Sequence, residues 1–240
     1  MSTLQTTTTT LRHGPANRNS LRTIASIVGW LFIVTYVTSI AAKVAFYPPL
    51  FDGDYVTGPG QDTRVLWGAV FEAVLIIANI GSATFLWPVL KRQHESLAMS
   101  FVAARIMESV FIAAGIIFVL GLVSLRQDSP GATDLAVSLA ALKDWTFLFG
   151  PGLVVPFGNG LLLGYLMYTS GLVPRWMTWL GLIGGPVLLV QSLGVLFDWW
   201  ERTGAVALLV APEFLWELLL GIYAAIWGFR RAAPILSARE

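Results

Sequence analysis

Long apolar runs separated by short polar breaks dominate the chain. A membrane-crossing helix needs about 20 mostly apolar residues. Six runs meet that length, at roughly 22–46, 65–90, 97–124, 145–169, 176–198 and 207–229. The break from Pro48-Pro49 to Arg64 holds Asp52, Gly53, Asp54, Gly58, Pro59, Gly60 and Asp62, which is turn chemistry. Lys91-Arg92-Gln93-His94-Glu95 reads as a charged hairpin, and Gln127-Asp128-Ser129-Pro130, Ser170 to Arg175 and Asp198 to Gly204 supply the remaining turns. The pattern predicts an all-α bundle of six transmembrane helices.

Three segments need separate treatment. Residues 132–144 are too short to span and carry Asp134, Lys143 and Asp144, so they read as a short interfacial helix before the fourth span. The alternative is one long bent helix over 132–169, kinked at Gly150-Pro151-Gly152 and Pro156. Residues 1–20, with the run Thr6 to Thr10, read as a disordered cytoplasmic tail, and 231–240 as a second one. A signal peptide is not expected, because the apolar run from Leu21 is too long and Lys43 and Phe46 occupy positions where cleavage needs small residues. Residues 21–230 then form one membrane domain.

Composition agrees. Of 240 residues 56% are hydrophobic and 12% charged, against about 25% charged in soluble domains. A net charge of +1 without a basic cluster gives no nucleic-acid footprint. There is no cysteine, and His13 and His94 lie in polar segments, so neither a metal centre nor a cofactor is expected. The lipid bilayer is the expected partner. Lys and Arg in short loops set orientation. With the N-terminus inside, Arg12, Arg18, Arg22, Lys91, Arg92, Arg175, Arg230, Arg231 and Arg239 are cytoplasmic, against Arg64, Arg126 and Arg202 outside. That bias predicts a cell-membrane protein with both termini cytoplasmic. Tryptophans favour membrane interfaces, and Trp67, Trp87, Trp145, Trp176, Trp179, Trp199, Trp200 and Trp227 fall near span ends. Trp30 and Trp216 lie deeper and read as packing residues.

Polar residues inside the spans carry the candidate chemistry, because charge in hydrocarbon is costly and usually paired or functional. At about 1.5 Å per residue, Glu72 and Glu213 lie in the outer half, Glu108 and Glu217 near the midplane, and Arg105, Asn79 and Asn159 in the inner half. Gln191 sits near the level of Glu213. Helical spacing puts Glu213 with Glu217, Arg105 with Glu108, and Glu72 with Asn79 on shared faces. Four carboxylates against the single cation Arg105 would leave −3 if all ionised, with Lys43 and Lys143 able to snorkel from the outer edge. At least one of the four acids is therefore expected to hold a proton or a bound cation. A structural reading stays open, in which Arg105 and Glu108 pair within their own helix and the other acids serve as interhelical glue. Gly81, Gly160/Gly164 and Gly181/Gly185 read as close-packing positions.

Some of these residues carry a resemblance. Ala104-Arg105-Ile106-Met107-Glu108, Gly158-Asn159-Gly160 through Tyr165, Gly171-Leu172-Val173-Pro174-Arg175-Trp176, Leu180 to Gly185, and Glu72 resemble a bacterial multi-pass membrane family catalogued as domain of unknown function 4386. The resemblance covers roughly residues 20–230 and implies an integral membrane fold without an activity. In size and in acids set among apolar helices, the chain is also similar to small membrane-bound terpene cyclases, a likeness of architecture without a shared motif.

Two functional classes follow, with a passive assembly partner as a third. The first is binding or conduction of a proton, a cation or a small hydrophobic or amphiphilic ligand through Glu72, Asn79, Arg105, Glu108, Asn159, Glu213 and Glu217. The second is an enzyme with Glu72 or Glu217 as catalytic general acid on a lipid-like substrate. No inverted repeat is evident, which weighs against a secondary transporter.

Overall fold

The computed structural model describes residues 18–51, 55–129, 131–201 and 203–237. Six helices are long and apolar enough to cross a membrane: Ser20–Phe46, Asp62–Leu90, Glu95–Asp128, Thr133–Ser170, Arg175–Leu196 and Gly204–Ile226. They are called the first to sixth helices below. No strand occurs among the described residues. Each helix packs on its neighbours in the chain, and the first also packs on the sixth, which closes a six-membered ring. The expected all-α membrane bundle is therefore present. Most of the residues read as the N-terminal tail, and Asp52 to Asp54, Pro130 and Arg202 of the turns, lie outside the described residues.

The fourth helix settles the choice left open at 132–169. Residues 133–147 are helical, but they run without a break into the span, so the expected separate interfacial helix is instead the first third of one continuous helix. The physical reason lies in the prolines. Pro151 and Pro156 lack an N–H and clash with the preceding turn of an α-helix. Here the backbone widens into π-helix over Leu148–Val154 and Pro156–Leu163 instead of breaking. Glycines make the wide turns fit. A Cβ on Gly158 would lie 2.7 Å from that of Ala104, and one on Gly160 would lie 2.6 Å from the Cα of Gly185. The small-residue positions read from sequence thus bring the fourth and fifth helices into backbone contact.

Two apolar cores hold the ring. The larger fills the end that carries the Lys91–His94 hairpin, with Phe32, Leu86, Phe101, Leu163, Leu166, Trp216 and Leu220 fully buried. The smaller lies at the opposite end around Tyr47, Leu50, Tyr55, Val65 and Leu122. Two expectations need correction. The 231–240 stretch is not wholly a tail: Ala233 and Ile235 are buried in the larger core, and Arg230 N–H donates to the carbonyl of Leu172, because apolar side chains there gain a dry surface by folding back. Trp30 is 59% exposed and faces outward, whereas Trp216 is buried as expected and donates its indole N–H to the carbonyl of Asn159.

The ring closes where the first and sixth helices cross. A Cβ on Gly29 would meet the backbone N of Ala225 and lie 2.6 Å from the Gly221 carbonyl oxygen. Gly29→Val is expected to destabilise the detergent-solubilised protein by about 1–3 kcal/mol through overpacking. Gly131→Ala, where the added carbon meets nothing within 4 Å, is the control and should leave the melting temperature unchanged. Equal melting temperatures for the two variants would contradict this closure.

Candidate functional site

Between the two cores lies a partly open cavity of about 800 Å³ lined by all six helices. The walls are chiefly apolar, with Ile40, Leu75, Ile112, Leu148, Leu188 and Phe214 among them. Glu72, Asn79, Arg105, Glu108, Glu213 and Glu217 all line it, and so does Gln191. Asn159 stands behind the wall and donates its side-chain N–H to Glu217 at 2.5 Å. The residues singled out from sequence are thus brought together, all but Asn159 on one surface.

Three polar groups can be distinguished there. In the first, Arg105 is 2% exposed and donates to Glu108 at 2.8 Å and to the carbonyl oxygen of Asn79 at 2.7 Å. Its guanidinium also stands 5.3 Å from the Phe32 ring centroid. The pairing within one helix that the structural reading required is present, and Asn79 extends it to the second helix. In the second, the Lys143 ammonium donates to both oxygens of Glu72, at 2.6 and 2.7 Å, and the Tyr47 hydroxyl donates to the same carboxylate at 2.7 Å. Lys143 therefore turns inward, which revises the reading of Arg105 as the sole interior cation. It can do so because the 133–147 segment is packed against the third helix rather than detached: a Cβ on Gly115 would lie 2.9 Å from the Lys143 nitrogen.

The third group is different. Glu213 is 2% exposed, and neither of its carboxyl oxygens has a hydrogen-bond partner among the described residues. Gly160 makes room for it, since a Cβ there would lie 2.9 Å from a Glu213 oxygen. Glu217, one turn further on, accepts from the Asn159 amide. The side-chain carbonyl oxygen of Asn159 is itself unpartnered. Tyr36, opposite on the first helix, donates to the backbone carbonyl of Phe214 at 2.6 Å.

The charge arithmetic changes accordingly. Five carboxyl groups line the cavity (Glu72, Glu108, Asp144, Glu213, Glu217) against three cations (Lys43, Arg105, Lys143). Arg105 is engaged with Glu108, Lys143 with Glu72, and the Lys43 nitrogen stands 4.0 Å from the Phe147 ring centroid. Five against three leaves two acids in excess, and Glu213, which has no hydrogen-bond partner among the described residues, is one of them. Sequence reasoning missed Tyr36, deep within the first span, and Tyr47, just past its end, as cavity residues. Lys143 carried a signal that was available: Thr146 lies three residues on and lines the same cavity, as two polar positions on one helix face would predict.

The fold and its buried polar groups define an integral membrane helical protein. The chain belongs to the family described as domain of unknown function (DUF4386), whose profile matches residues 27–228. No curated protein and no solved structure matches it.

The Lys143–Glu72 pair offers a direct test of this geometry. Removing one member of a buried pair strands a charge and costs about 3–5 kcal/mol, while replacing both with neutral groups costs far less. Lys143→Met should therefore lower stability sharply, and adding Glu72→Gln should restore most of it. Thermal denaturation of the two single variants and the double variant measures this coupling, and additive losses would contradict the pairing.

Proposed function

We infer that the protein is a membrane-embedded binding protein whose cavity takes a small amphiphile, with the polar end at the buried acids and the apolar body along the walls. The observation that carries this is the coexistence, in one cavity, of unpaired acid and broad apolar wall. A volume of about 800 Å³ is in the range of small-molecule pockets, about 300–1,000 Å³, and far beyond the roughly 30 Å³ share of one water. A proton or bare cation has no use for such walls.

Conduction is the weaker form of this reading. The larger apolar core lies between the cavity and the Lys91–His94 end, with Phe32, Leu86, Phe101 and Leu163 fully buried in it. A pathway for ions would need polar groups or water there. An enzymatic role gains less support from Glu72 than the sequence offered, because both its oxygens are already engaged by Lys143 and Tyr47. The membrane is read as the cell membrane with both termini cytoplasmic, supported by the nine-to-three distribution of basic loop residues in the sequence.

Two measurements test these readings. Organic extracts of the purified protein should contain about one amphiphile per chain, and Leu188→Trp, which fills the cavity, should lose it. Equal content in both proteins would overturn the binding role. The chain lacks cysteine, so Gln93→Cys and Ser129→Cys can be labelled in intact cells with an impermeant thiol reagent. Only the position-129 variant should react, and labelling at position 93 would reverse the orientation.

A further inference from the structure

We propose that the site selects an organic ammonium: an amphiphile whose protonated amine is held between Glu213 and Glu217 while its hydrocarbon part lies along Ile112, Leu148 and Leu188. This rests on the binding role above and deepens it by naming the head group.

Of the cavity's cations, Arg105 and Lys143 are each bound to a carboxylate within 2.8 Å. A ligand with an anionic head at either pair would have to displace Glu108 or Glu72 and leave that acid stranded, and the third cation, Lys43, already stands over the Phe147 ring. A cationic head displaces nothing. Glu213 offers two buried carboxyl oxygens that no described group meets, and it lines the cavity. Glu217 lines the same cavity one helical turn away, so one small donor group can stand between the two.

Geometry also favours an ammonium over a larger cation. The niche of Glu213 is tight: Gly160 and Gly184 are both held to hydrogen at Cα by its presence, with a Cβ on Gly184 lying 2.9 Å from the Glu213 Cα. A compact, strongly hydrogen-bonding charge with up to three N–H donors fits such a corner better than a planar guanidinium. Tyr36 closes the site on the side of the first helix, with its hydroxyl tied to Phe214. Beyond the acids, the surface toward Ile112, Leu148, Val155 and Leu188 is apolar and matches a hydrocarbon chain. A bare metal ion would find only two carboxyl groups here, and no group of three or more metal-ligating side chains occurs among the described residues.

The test compares three ten-carbon probes that differ only in head group: decylamine, decanol and decanoate. Binding to the full-length protein in phosphatidylcholine nanodiscs is read from the shift in melting temperature with probe concentration. Decylamine is expected to bind at least tenfold more tightly than decanol, with no response to decanoate. Glu213→Gln and Glu217→Gln should each reduce the preference for decylamine over decanol several-fold. The head-group ranking of the unaltered protein stands as a test even where a variant fails to fold. Equal affinity for decylamine and decanol, or a preference for decanoate, would overturn the ammonium assignment and leave the amphiphile cavity standing. Failure of all three probes to bind in a way that Leu188→Trp abolishes would overturn both.

Discussion

Everything in this structure answers to one constraint: a charge taken out of water must find a partner inside the protein. Transfer of an ionised group to an apolar interior costs several kcal/mol per ion even after relaxation. The bundle meets that cost twice, and by the same means. Arg105 reaches across from the third helix to Asn79 while pairing with Glu108, and Lys143 reaches from the fourth helix to Glu72 on the second. Arg105 ties two neighbouring helices through Asn79, and Lys143 reaches past the third helix to the second, so these contacts also fix which faces turn inward. Glu213 stands outside the scheme, and that exception is what gives the cavity a chemical character.

The backbone of the fourth helix serves the same end. An unbroken α-helix from Thr133 to Ser170 would leave Pro151 and Pro156 in conflict with the turns before them. Widening to π-helix keeps the chain helical while the glycines let it approach its neighbours. Lys143 and Thr146 just before the wide segment, and Asn159 within it, then all address the central cluster. π-helical turns recur at functional sites for this reason, since they re-aim side chains without ending the element.

Much of this was legible in the sequence. Six apolar runs of sufficient length, divided by turn residues, lead directly to the bundle, because hydrocarbon permits few other ways to satisfy a backbone. Periodicity placed Glu213 with Glu217 and Arg105 with Glu108 on shared faces, and the ring then brings those faces together. Pattern offered the Arg105–Glu108 pair but not the partner of Lys143. Lys143 sits on a stretch whose composition suits an interface, and only its packing against the third helix turns it toward Glu72. Trp30 illustrates the opposite error: depth along a span does not reveal whether a ring faces protein or lipid. The folding-back of Ala233 and Ile235 depends on contacts distant in sequence, which no local signal announces.

The most direct test of the central claim is a density map of the protein in lipid nanodiscs at a resolution that shows side chains. The account predicts an elongated density within the ring, its polar end against Glu213 and Glu217 and its body against Leu148 and Leu188. A chamber closed by repacked side chains, with those two glutamates turned to lipid or bulk water, would contradict it.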